Sequence, residues 1–145
     1  MSREEIKALQ NRAFGEFNKG RAAYMAAIDE IFATNFVHHG GAGREIRGLK
    51  GYKQFINEMF NAFPDLRFTI DDMVAEGDKI VTRFTWTGTN KGEYMGRPPT
   101  NRKVTTWAIL IRRVVGGKFV EGWERLDILS WMQQLGVVPT PKKET

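Results

Sequence analysis
The order of hydrophobic periods along this 145-residue chain predicts an α+β domain, a cone of three N-terminal helices packed on a strongly curved antiparallel sheet. Three observations carry that expectation. Before Pro64 the apolar residues recur at the 3.6-residue spacing of helices. After it the spacing drops to two, the period of strands. Glycine-rich turns then divide the second half into strand-length pieces.

Ser2 and Glu5 form a capping-box pattern, and Ile6, Leu9, Ala13, Phe14 and Phe17 mark the buried face of the helix that follows. Asn18-Lys19-Gly20 stops it. Tyr24, Ala27, Ile28, Ile31 and Phe32 outline a second helix ending before Asn35. Phe36-Val37-His38-His39 reads as a short extended piece and Gly40, Gly41 and Gly43 as a flexible loop. Tyr52, Phe55, Ile56, Met59, Phe60 and Phe63 define the third helix, which Pro64 ends. Leu66, Phe68 and Ile70 then alternate with polar residues, Glu76-Gly77-Asp78 turns the chain, and Ile80, Thr82, Phe84 and Trp86 share one strand face. A Gly- and Pro-rich connection spans 88–101, and two strands, 103–113 and 118–127, meet at the Gly116-Gly117 hairpin. Residues 1–139 form one domain and 140–145 a short polar tail.

The composition narrows the chemistry. Without cysteine there are no disulfides, thiolate nucleophiles or zinc–thiolate sites, and a cytoplasmic location is expected. His38 and His39 are the only histidines, and adjacent strand residues point opposite ways, so no metal site is expected. No apolar run reaches membrane-spanning length, and the acidic N-terminus does not resemble a secretory signal. The formal net charge is +5, yet the basic residues are scattered, so no nucleic-acid partner is expected.

A strongly curled sheet with helices on one face leaves a hollow. On the last strand Glu121, Trp123, Arg125 and Asp127 share one face, and Val120, Gly122, Glu124 and Leu126 the other. Taking the tryptophan face as the inner one puts Arg125 and Asp127 inside the pocket or at its rim. A plain ion pair between them, or Asp127 capping segment 128–135, would account for the same residues. By the same choice Thr105, Trp107, Ile109 and Ile111 face the cavity. Val104, Thr106, Ala108 and Leu110 then face outward, where a second copy of the chain would cover them as a homodimer.

Several of these segments resemble the SnoaL-like polyketide cyclase family. They are Phe63-Pro64-Asp65-Leu66-Arg67-Phe68, the turn Glu76-Gly77-Asp78, and Gly88-Thr89 with Gly92, Gly96 and Pro98-Pro99-Thr100. Gly117-Lys118-Phe119-Val120-Glu121 followed by Trp123 and Asp127, and then Gln133-Gln134-Leu135-Gly136, complete the pattern in order over nearly the whole chain. The resemblance implies the NTF2-like fold and an acid/base ring closure by intramolecular aldol condensation on a hydrophobic carbonyl substrate, without metal or organic cofactor. It assigns the acid/base to Asp127 and a pocket position to His39. Arg125, Trp123, Trp107, Trp86, Phe84, Tyr94 and Phe60 are the candidate substrate contacts. The chain departs from the family pattern at Asn90, Asn101 and Arg125, and an arginine beside Asp127 favours a substrate with an anionic group. Three alternatives stand beside the cyclase. A non-catalytic small-molecule binder would use Arg125 as an anchor. An epoxide hydrolase of the same fold would use Arg83, but Thr85 and Thr87 stand where a carboxylate is needed. A steroid-isomerase-like enzyme would need an acid donor near the base, for which Tyr94 is the candidate.

Overall fold
The computed structural model describes residues 1–141. The elements follow in the order α1 (Arg3–Asn18), α2 (Arg21–Ile31), β1 (Phe32–His39), β2 (Glu45–Arg47), α3 (Leu49–Ala62), β3 (Arg67–Glu76), β4 (Lys79–Thr89), β5 (Lys103–Val115), β6 (Lys118–Leu126) and α4 (Ile128–Leu135). The six strands make one curved, unclosed sheet in the order β2-β1-β6-β5-β4-β3. Of the polar tail expected at 140–145, the part beyond Pro141 lies outside the described residues.

The local signals act as their chemistry requires. Ser2 Oγ accepts from the Glu5 amide and the Glu5 carboxylate from the Ser2 amide, so two orphan donors of α1 are satisfied. At the β5–β6 hairpin Gly116 and Gly117 both take positive φ, 61° and 81°, the geometry that matches the twist of the flanking strands. The first strand differs from the sequence expectation in two ways. The second helix ends at Ile31, and Phe32 already begins β1, which runs eight residues rather than four. In addition, β1 lies parallel to β6, with His38 opposite Gly122 and His39 opposite Trp123.

The inner face of the sheet carries Ile80, Thr82, Phe84 and Trp86 from β4, as the alternation predicts. Antiparallel register then fixes the parity of β5, because Phe84 pairs with Ala108 and Thr82 with Leu110. Val104, Thr106, Ala108 and Leu110 are therefore buried beneath the helices, whereas Trp107 is 49% exposed on the outer face with Ile109. This reverses the expected orientation of β5. Ring contacts bind helices to sheet throughout: Phe17 stacks on Phe68 at 4.0 Å, and Phe14 meets Phe84 edge-on at 5.0 Å. Trp131 of α4 closes one end of the cone against Phe63 and Trp86.

Candidate functional site
Side chains two residues apart on a strand share a face, so the inner face of β6 carries Gly122, Glu124 and Leu126. Gly122 lies between His38 of β1 and Arg112 of β5, its register partners on either side. A Cβ at Gly122 would come within 3.3 Å of Arg112 Cγ, so the missing side chain makes room for the arginine. One pleat further on, Glu124 projects into the cone. Glu124, Arg112 and His38 are 6%, 4% and 3% exposed.

Two hollows meet at Glu124. The inner chamber, of about 30 Å³, is lined by Phe14, Tyr24, Tyr52, Phe84, His38 and Arg112 among others. It has room for one water-sized group. The outer cavity, of about 600 Å³, lies under the loops Gly40–Ala42 and Gly92–Gly96. That volume suits a ligand of ordinary small-molecule size. Phe55, Met59, Trp86 and Glu124 line both. Gly41 presses over the carboxylate, and a Cβ there would meet Leu126 Cβ at 2.9 Å and the Glu124 carboxyl carbon at 3.5 Å.

The polar groups of the inner chamber are only partly satisfied. Arg112 donates to Gln10 Oε1 at 2.9 Å and lies near the Tyr52 hydroxyl at 3.5 Å, while Gln10 donates to Thr82 at 2.9 Å. The guanidinium is held between the rings of Phe32 and Phe119, 4.9 and 5.2 Å from their centroids. Among the described residues no carboxylate lies within ion-pair distance of it. Glu124 Oε1 is 3.7 Å from His38 Nε2, too long for a hydrogen bond, and Glu124 Oε2 and both ring nitrogens of His38 have no partner among the described residues. Burial pushes the Glu124 carboxyl up to about 7, against the opposing pull of Arg112. Burial, followed by Arg112 and His39, pushes the His38 imidazole down to about 3. Near neutral pH the chamber thus holds a carboxyl poised between its two forms beside an uncharged imidazole.

Of the residues expected from sequence to form the site, Trp86 lines both hollows, Phe84 the inner and Tyr94 the outer one. Phe60 is buried, packed on Phe17 at 4.8 Å, and is not part of either lining. The others stand elsewhere. His39 faces the outer side of the sheet, where Nε2 bonds Glu121 at 2.8 Å and the ring stacks on Trp123 at 5.6 Å. Trp123 and Trp107 belong to that outer face, and Arg125 is exposed, its guanidinium donating to the Glu124 carbonyl at 2.8 Å. Asp127 is the N-cap of α4, its Oδ1 accepting from the Ser130 amide at 3.2 Å. Arg83, Thr85 and Thr87 also lie on the outer side of β4. Sequence reasoning missed Glu124, Arg112, His38, Tyr24 and Tyr52 as site residues. Their signal was parity: Glu124 falls on the strand face that carries no tryptophan, and that face is the inner one.

The family model for SnoaL-like polyketide cyclase matches residues 9–135. Among solved structures, AclR of Streptomyces galilaeus, titled as a candidate hydroxylase, is 28% identical with a TM-score of 0.84 over 98% of this chain and 87% of that one. IdmH of Streptomyces antibioticus, titled as a candidate polyketide cyclase, is also 28% identical, with a TM-score of 0.76 over 90% of this chain and 97% of that one. A SnoaL-like protein of Jannaschia, 21% identical with a TM-score of 0.86 over 94% and 95% of the two chains, shares the fold. The search of curated proteins finds no match. A match across most of the length, on a fold its relatives share, makes this chain a member of the SnoaL-like polyketide cyclase family.

Proposed function
We propose that this chain is a cofactor-independent acid–base catalyst that closes a ring in a hydrophobic carbonyl compound by intramolecular aldol condensation, with Glu124 as the proton acceptor. One observation carries the assignment: Glu124 stands where the outer cavity meets the inner chamber, buried, with one carboxylate oxygen unpartnered and a titration near 7. A base works best when its affinity for the proton lies near the working pH. The proton leaves a carbon flanked by carbonyls and goes to Glu124. The resulting carbanion attacks a second carbonyl carbon of the same molecule, a C–C bond forms, and the new alkoxide takes a proton back. Glu124 and the substrate supply every proton and electron pair in that sequence. The apolar walls and the size of the outer cavity support folding the substrate so that its two carbons meet.

The mouth supports a neutral substrate. Arg44, its only lining cation among the described residues, is already paired with Glu58 at 2.8 Å, and Glu93 adds a negative charge. The family membership supports the reaction class. The test compares Glu124→Gln with Asp127→Asn on a hydrophobic β-keto ester in D₂O, with α-proton exchange followed by NMR. Glu124→Gln should slow exchange by about 10²–10⁴-fold. Asp127→Asn preserves the cap, because asparagine caps as well as aspartate, and should leave both exchange and melting temperature near wild type. Loss of exchange in Asp127→Asn alone would move the base to Asp127.

A further inference from the structure
Deep in the inner chamber two tyrosines, both buried, face each other with their hydroxyl oxygens 2.7 Å apart. Two hydroxyls carry two hydrogens, and the contact between them uses one. The other has no acceptor among the hydrogen bonds of the described residues: the remaining neighbour of the pair is the Arg112 guanidinium, which can only donate. A buried hydroxyl hydrogen left over in this way costs free energy until something accepts it. Tyr52 is the better placed to present it. Its ring lies 5.5 Å from that of His38 and 6.4 Å from that of Phe55, which lines both hollows. Tyr24 packs away from that junction, against Phe17 and Phe32.

We propose that the inner chamber is an oxyanion site, in which the Tyr52 hydroxyl donates to the substrate carbonyl oxygen while that oxygen gains charge, with Tyr24 and Arg112 as positioning residues behind it. The assignment rests on Glu124 acting as the base. As the proton leaves the α-carbon for Glu124, the C–H electron pair becomes the C=C bond of an enolate and the carbonyl π pair moves onto oxygen. A chamber with room for one water-sized group admits that oxygen and excludes a carboxylate. Arg112, buried without a carboxylate partner among the described residues, supplies the positive field that favours an anion there, and its two phenylalanine rings fix it in place. The substrate is thereby defined by its deep end: a lone ketone or enol oxygen at the tip of an apolar body, the body filling the outer cavity.

2-Naphthol is a stable stand-in for such an enolate, and its absorbance reports whether the bound oxygen is ionised or neutral. Wild-type protein should bind it saturably, with the ionised fraction at a given pH higher than in water. Tyr52→Phe should weaken binding by about tenfold, the worth of one buried hydrogen bond to a charged group, and remove the spectral change. Tyr24→Phe should act in the same direction with a smaller effect, and it serves if the Tyr52 variant does not fold. α-Proton exchange on the keto ester should fall about 10²-fold in Tyr52→Phe, as for loss of one oxyanion donor. Absence of saturable binding, or wild-type affinity and spectrum in both tyrosine variants, would overturn the oxyanion assignment. The two ideas separate cleanly. If Glu124→Gln keeps wild-type exchange while the naphthol still responds to Tyr52, the base is wrong and the oxyanion site stands.

Discussion

Glu124 and His38 titrate towards and past each other. The carboxyl rises from 4.5 to about 7 and the imidazole falls from 6.5 to about 3, so between those limits neither side chain carries its charge in the folded protein. The two therefore affect stability with opposite signs. An unfolded chain begins to ionise Glu124 near 4.5, whereas the fold holds the proton to about 7; stability from this group is complete below 4.5 and is lost as pH rises through 7. His38 works the other way, its contribution complete above 6.5 and lost as pH falls through about 3. Glu124→Gln isolates the first effect. At pH 4 the variant and wild type should melt together, and at pH 8 the variant should melt several degrees higher, an effect on the order of 3 kcal/mol. Calorimetric melts at the two pH values decide it, and an equal gap at both would mean that Glu124 does not titrate as burial dictates. The strand period sorted Glu124 from Trp123 correctly from sequence alone. It could not say which set looked inward, because Trp107 and Trp123 invite burial by their size, yet here they cover the outer face, where Trp123 stacks on His39.

The connection between β4 and β5 is built by one side chain. Asn90 Nδ2 donates to the carbonyls of Ala62 and Gly92, at 3.3 and 2.9 Å, and Oδ1 accepts from the Thr100 amide at 2.9 Å. Both ends of the loop over the outer cavity are thus tied to the end of α3, and the departure from the family pattern at Asn90 has a structural role. Gly92 makes the approach possible, since a Cβ there would lie 2.0 Å from the Asn61 carbonyl oxygen. Gly92→Ala must push the loop off the helix and should destabilise the fold by about 1–3 kcal/mol. It should also speed proteolytic cleavage within residues 91–101, and a variant melting within a degree of wild type and cleaved no faster would refute this account. Elements with local chemistry were legible: the Ser2–Glu5 cap, the stop at Pro64, the Gly116-Gly117 hairpin and the alternation of β4 each depend on a few neighbouring residues. What escaped was β2 and the parallel pairing of β1 with β6. Strand β2 is only three residues long, too short to show a period. In the β1–β6 pairing residues over 80 positions apart meet, and their register follows from the closing of the whole cone rather than from any nearby signal.

At the scale of the molecule, the reversed parity of β5 moves the expected dimer surface without removing it. The outer sheet face carries Trp107, Ile109 and Ile111 along β5, with Val81 paired to Ile111 on one side and Trp123 on the other. Trp107 and Ile109 are 49% and 38% exposed, so three adjacent strands share one apolar stripe. Strands β3 to β6 run nine to thirteen residues. At about 4.8 Å between strands and 3.3 Å per residue they present roughly 600–700 Å², close to the roughly 800 Å² per partner of a stable interface. A second copy related by a twofold axis would cover that area with the same surface and leave no new apolar face exposed. The arginines on this side, Arg83 and Arg125 among them, would then approach their counterparts. Association should accordingly strengthen as salt screens them, the reverse of what charge attraction gives. Sedimentation equilibrium at tens of micromolar should show a dimer for wild type and a monomer for Trp107→Glu, which places a charge at the centre of the stripe. The variant should keep its melting temperature at low concentration, because Trp107 is half exposed and its removal leaves the core intact. A wild-type protein that sediments as a monomer at every salt concentration would leave this face to water.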